Sequence, residues 1–264
     1  MEEEQKITVE QYLAELRLIV DLRLTTQYPY FSEKPYPLGR CKEIRNAMLE
    51  LLQTRLAMPT LPAPLKILKN ELNLGQTLKP AWGSLRDEYF QNAILLGDWY
   101  IDTANDTVNP NKPRVEIVKL EHSGFSAITS FEQFCLIARK YWQVTIYKND
   151  IYPALAPYLP LVCVNKLGAS WLAAANDDMI ALARKSCFVL SERILNELPS
   201  TPTPIKQHWY RRYSDHTDYL LKDTAYSAAE FCQRYREQHK EHDLLFRDEV
   251  VKAYLLVAQG ASVA

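Results

Sequence analysis

The sequence predicts an α+β protein, with helices packed on a small, mainly antiparallel sheet and a helical appendage at the C-terminus. Three observations lead there. Capping-box patterns open stretches of helical period near both ends of the chain. Short alternating or β-branched runs cluster between residues 89 and 165, and a Pro/Ser/Thr segment then precedes a charged, helix-patterned tail. The expected boundaries are a main domain over 1–198, a linker over 199–204 and a helical part over 205–264.

Thr8-Val9-Glu10-Gln11 has the form of a capping box, and Leu13, Leu16, Ile19 and Val20 follow at helical spacing, so the first helix is expected over about 8–24. Tyrosines and prolines up to Pro37 read as an irregular loop. From Cys41 to about Leu56, Ile44, Met48, Leu51 and Leu52 share one helix face, and Pro59, Pro62 and Pro64 end the helix. A shorter helix over 65–72 stops at Gly75.

Ala93–Leu96 and Trp99–Ile101 flank Gly97-Asp98 and predict a tight hairpin. Val115, Ile117, Val118 and Leu120 give the next strand, and Ser130-Phe131-Glu132-Gln133 caps a helix to about Lys140. Trp142–Tyr147 and Leu159–Val164 are further strands, and one long helix is expected over 176–198. Ser227 to Glu230 is a third capping box in the C-terminal part.

Composition narrows the function classes. With 47% apolar and 24% charged residues over 264 positions, the chain can bury a sizeable core and has no disordered signature. A net charge of −1 supplies no global field for nucleic acid or anionic membranes, and neither partner is expected. The acidic start and the absence of a long apolar run predict a cytoplasmic protein, leaving open export that needs no cleaved signal. Cys41, Cys135, Cys163, Cys187 and Cys232 are odd in number and lack a C-x-x-C pair, so reduced thiols are expected rather than disulfides or a zinc site. No glycine-rich nucleotide loop and no G-x-S-x-G elbow occurs, and no cofactor is implied.

The chemistry-bearing pattern begins at Tyr36-Pro37-Leu38-Gly39-Arg40-Cys41, which places a cysteine at a helix N-terminus. Unpaired N–H groups there favour a thiolate, and Arg40 and Lys42 would add to the effect if they pointed inward. Together with the later run ending Trp99-Tyr100-Ile101-Asp102-Thr103, this resembles the transglutaminase-like branch of the papain-type cysteine enzymes over about residues 30–125. The resemblance implies Cys41 as nucleophile, a histidine base on the first hairpin strand and Asp102 as its orienter. At the position of that histidine this chain has Asn92, whose amide cannot accept the thiol proton near neutral pH.

Three readings follow. The leading one is a catalytically degenerate domain of this kind, acting as a protein-binding or scaffold module. The second is an active cysteine amidohydrolase or acyltransferase acting on a small-molecule or other amide or thioester, with His122 as substitute base. The third is an unrelated α/β adaptor that binds a protein through its C-terminal helices. The structural alternatives are a core cysteine, a strand-end aspartate feeding a turn and a surface histidine.

Elsewhere, Trp209, Tyr210, Arg211, Arg212 and Tyr213 have the aromatic and arginine enrichment of protein contact surfaces, and equally suit packing of the tail on the main domain. His239 and His242 lie three apart on a predicted helix, but without His-Glu-x-x-His they read as a solvated face, and no metal site is expected.

Overall fold

A computed structural model describes residues 1–31 and 33–258. By backbone contacts the chain divides into two units, Met1–Arg86 with Phe90–Ala127, and Asp87–Tyr89 with the chain from Ile128 onward. The division falls inside the 1–198 stretch read as one main domain, and segment 199–204 lies within the second unit.

In the first unit, helix α1 spans Glu3–Gln27 and starts five residues earlier than expected. Glu2 and Gln5 form the capping box, while Thr8 turns its hydroxyl back to the carbonyl of Glu4 at 3.0 Å. Val9, Leu13, Leu16, Val20 and Leu24 make its buried stripe. That stripe packs on α2 (Cys41–Leu56), which runs over the expected residues, and on α3 (Ala63–Asn73) through Leu65 and Leu68. The loop between α1 and α2 is not wholly irregular, because Tyr30–Phe31 (β1) and Lys34–Pro35 (β2) pair as a small hairpin.

Behind the helices stands a five-stranded sheet built from β3 (Leu78–Leu85), β4 (Tyr89–Leu96), β5 (Trp99–Asp102), β6 (Glu116–Lys119) and β7 (Phe125–Ser126), with the short helix α4 (Leu120–Ser123) before β7. The spatial order is β6-β5-β4-β3-β7, and the β4–β5, β5–β6 and β3–β7 pairs are antiparallel. The expected hairpin is β4–β5, with Ile94 opposite Ile101 and Leu96 opposite Trp99. Strand β3 was hidden by Pro80 and Gly83, which interrupt its pattern. Gly83 is required there, because a Cβ would collide with the backbone carbonyl of Ser126 on β7.

The second unit contains α5 (Phe131–Tyr141), opened as expected by Ser130, whose hydroxyl accepts the Gln133 N–H at 3.1 Å. Its sheet has the order β10-β9-β8 and is antiparallel, from β8 (Thr145–Lys148), β9 (Leu161–Val164) and β10 (Ser170–Ala173). The single helix expected over 176–198 is two, α6 (Asp177–Lys185) and α7 (Val189–Glu197). Cys187 and Phe188 break it with φ of 49° and 60°. The break sends Phe188 inward, fully buried, to meet the Tyr158 ring at 4.9 Å. Side-chain packing overrides helical propensity at this point.

The tail forms α8 (Thr203–Arg212), α9 (Tyr219–Lys222), α10 (Ala228–Glu237) and α11 (Leu244–Ala258). These helices are built into the second unit: Tyr235 donates to the carbonyl of Ala154 at 3.0 Å, Tyr158 to that of Lys240 at 2.9 Å, and Arg236 pairs with Glu192. Segment 199–204 is stitched to β8, with the Lys148 N–H on the Pro199 carbonyl at 3.1 Å and the Thr201 hydroxyl on the Lys148 carbonyl at 2.8 Å. Among the described residues, no helix is long and apolar enough to cross a membrane.

Candidate functional site

Cys41 is the first residue of α2 and is partly covered. The loop before it is held by two contacts. The Gly39 N–H donates to the carbonyl of Thr107 at 3.1 Å, and Arg40 lies over the rings of Tyr28 and Phe31 at 4.9 and 5.1 Å. Gly39 itself has φ of +74°, and a Cβ there would sit 2.6 Å from the Phe31 ring, so glycine sets the approach of the chain to the helix. Arg40 is engaged with those rings and with Glu43, and Lys42 is exposed. Arg40 is thus largely covered and is directed at the loop rings and Glu43.

The Cys41 sulfur accepts a hydrogen bond from Nδ2 of Asn92 at 3.3 Å. Asn92 is held in that orientation by Arg45, one turn along α2, which donates to its Oδ1 at 3.1 Å and to the carbonyl of Ala81 at 3.1 Å. With the oxygen committed to a guanidinium, the amide presents its donor side to the sulfur, so it cannot act as proton acceptor. The surroundings push the thiol up from its ordinary range: burial is the main cause, opposed by the Asn92 hydrogen bond and reinforced by the charges of Asp102 and Glu43.

Asp102 is fully buried, and its hydrogen bonds go elsewhere. Oδ2 accepts from Nε2 of Gln91 at 2.6 Å and from the Tyr100 hydroxyl at 3.1 Å, while Oδ1 accepts the Ala104 N–H at 2.8 Å. The sheet register explains the separation. Ile94 pairs with Ile101 in the helix-facing core, so Asn92, two residues before Ile94, points to the helices. Asp102, one residue after Ile101, takes the opposite face with Tyr100. Gln91 lies on the Asp102 face, its amide nitrogen serving Asp102 while its Oε1 accepts the backbone N–H of Asn92 at 3.2 Å. The structure thus brings Cys41 and Asn92 together and gives Asp102 no hydrogen bond to either. Burial raises the Asp102 carboxyl to about 6 despite its three donors.

A second buried network braces the loop after β5. Arg17 of α1, with no exposed surface, donates to the Thr103 carbonyl at 2.7 Å, to Asp106 at 3.0 Å and to Asp21 at 2.6 Å. Tyr36 also donates to Asp21. Sequence reasoning missed Arg17, Asp106, Gln91 and Arg45. A signal existed for Arg17, a charge in the middle of the Leu13, Leu16, Val20, Leu24 stripe. For Gln91 the signal was its place beside Asn92 on a strand, where neighbouring residues must serve opposite faces.

His122, considered as a substitute base, is exposed on α4 and lies 3.6 Å from Glu121. Trp209 is buried, donating from Nε1 to the Ser170 hydroxyl at 2.7 Å, whereas Tyr210, Arg211 and Arg212 face solvent and Tyr213 is half-buried. His239 and His242 flank the Glu241 carboxylate at 3.7 and 3.6 Å with exposed rings, and among the described residues no trio of His, Cys, Asp or Glu is placed to hold a metal ion. The five cysteines are unpaired, and burial pushes Cys135 and Cys163 up to about 12.

Comparison with protein-family models, curated proteins and solved structures gave no match, so the reading of this site rests on its own geometry.

Proposed function

We propose that the first unit is a catalytically degenerate transglutaminase-like domain, and that the chain binds a partner protein rather than processing one, through the C-terminal helices of its second unit. The observation that carries this reading is the 3.3 Å contact between Cys41 and Asn92, an amide donor where the resemblance calls for a base. A cysteine-bearing helix laid on an antiparallel sheet is in keeping with it. The commitment of Asn92 to Arg45 and of Asp102 to Gln91 leaves no nucleophile, base and orienter in series. The exposed Tyr210, Arg211 and Arg212 are the candidate contacts for a protein partner.

The test is an assay of the full chain against amide and thioester substrates, with Cys41→Ala in parallel. The expected result is no turnover above the Cys41→Ala background. Hydrolysis or acyl transfer abolished by that substitution would overturn the proposal in favour of an active cysteine enzyme.

A further inference from the structure

The second unit contains a cavity of about 250 Å³, lined by Tyr152, Tyr210, Tyr213, Ser214, His216, Leu221, Lys222 and Thr224. Its floor is held in two ways: the Tyr152 N–H donates to Asn149 at 3.1 Å, and the Tyr152 ring meets the buried Trp209 edge-on at 5.8 Å. Tyr152 is 3% exposed, and its buried hydroxyl has no hydrogen-bond partner among the described residues. Leaving such a group unmade is costly and calls for an explanation. Burial raises this phenol above its ordinary range, and the neighbouring Tyr213 and Tyr210 phenols add to the shift, so the hydroxyl stays a neutral donor.

The lining has a consistent chemistry. Its donors are the Tyr152 hydroxyl and the Lys222 ammonium, the Tyr210 hydroxyl being engaged with the Ile151 carbonyl at 3.2 Å, and the lining contains no carboxylate. Nearby acids are engaged: Asp215 accepts from Ser214 at 3.0 Å, Asp150 pairs with Lys206 at 2.7 Å, Asp218 caps the Leu220 N–H at 2.9 Å, and Asp223, between Lys222 and Thr224, accepts the Ala225 N–H at 3.1 Å. The rings supply flat apolar walls, with Tyr213 and His216 stacked at 5.6 Å. A larger cavity of about 530 Å³ near Tyr226 and Phe246 differs in kind, because its ring faces already hold Arg234 at 4.0 Å and Lys240 at 4.3 Å.

We propose that the Tyr152 cavity is a binding site for a small planar carboxylate, an aromatic acid whose ring lies against Tyr210 and Tyr213 and whose carboxylate accepts from Tyr152 and Lys222. Rings and donors are both needed, since the walls favour a flat body and the donors a single negative end. The site is independent of the Cys41 reading, because none of its residues belongs to that unit.

The experiment uses the full chain with benzoate, benzamide and choline as probes, followed by ligand-observed NMR and titration calorimetry. Benzoate is expected to bind saturably, with a dissociation constant on the order of millimolar or tighter for a ligand of this size. Benzamide and choline should bind at least about tenfold more weakly, and Tyr152→Phe and Lys222→Met should each weaken benzoate by about tenfold, the worth of one hydrogen bond to a charged group. Tyr152→Phe should also leave the melting temperature unchanged or higher, since it removes an unpaired polar group. No saturable benzoate binding up to tens of millimolar, equal binding by Tyr152→Phe, or preference for choline would each overturn the proposal.

Discussion

Replacing Asp102 by asparagine probes how the sheet holds a buried acid. In the folded chain the carboxyl is raised to about 6 from an ordinary value of 3.8, mainly by burial. Between those two values the folded state keeps a proton that the unfolded state has released. Stability from this group is therefore fully present below the unfolded value and is lost as pH rises towards the folded one. A shift of about 2 units corresponds to about 3 kcal/mol. Asparagine cannot titrate, and it also offers one acceptor atom where Asp102 receives donors on both oxygens. Gln91 cannot flip to compensate without taking its oxygen away from the Asn92 N–H. Asp102→Asn should therefore be destabilised by about 1–3 kcal/mol relative to the wild type at pH 4, where the native carboxyl is protonated. The gap should shrink by about 2–2.5 kcal/mol, to near zero or a reversed sign, by pH 7.5, slightly less than the full term because pH 4 already lies above the unfolded value. Urea denaturation followed by circular dichroism for both proteins across that range measures the difference directly. A gap that stays constant with pH, or that widens as pH rises, would refute the reasoning, because it would mean the three donors outweigh burial.

Three further perturbations test the neighbouring geometry. Arg17→Met leaves Asp106 buried without its guanidinium and should cost about 3–5 kcal/mol in chemical denaturation; a loss below about 1 kcal/mol would show the network to be dispensable. Gly39→Ala forces a side chain into a left-handed conformation against Phe31 and should destabilise by about 1–3 kcal/mol, whereas a neutral result would contradict the loop geometry. Asn92→Ala takes an acceptor from Arg45 and the donor from Cys41, so it should cost about 1–2 kcal/mol and slow alkylation of Cys41; faster alkylation would mean that the amide shields the thiol rather than stabilising its anion.

The helices of the first unit were legible because their signals are local. The apolar period from Ile44 to Leu52 and the prolines after it define α2 without tertiary information. The Gly97-Asp98 turn likewise identified the β4–β5 hairpin. Strand β3 was not legible, since Pro80 and Gly83 mimic a loop and one of its two neighbours in the sheet, β7, lies some forty residues away. The break at Cys187 and Phe188 is set by the pocket that Phe188 fills beside Tyr158, which no local pattern announces. At the site, the pairing of Cys41 with Asn92 was implied by the resemblance alone and not by any local pattern. The diversion of Asp102 was not legible, because a one-residue difference in register decides which face of a sheet a side chain takes. Arg45 was not legible either, because its place one turn along the helix from Cys41 matters only once the strand is known to lie opposite.

The protonation state of the Cys41 thiol separates a degenerate site from an active one. Alkylation of the full chain by iodoacetamide, read by peptide mass spectrometry at Cys41 from pH 6 to 10, measures it directly. The predicted profile rises only above the ordinary thiol range of about 8.5, since burial and the Asp102 and Glu43 charges disfavour the anion. Labelling at pH 6 faster than that of an unperturbed thiol would reveal a resident thiolate and contradict the degenerate site.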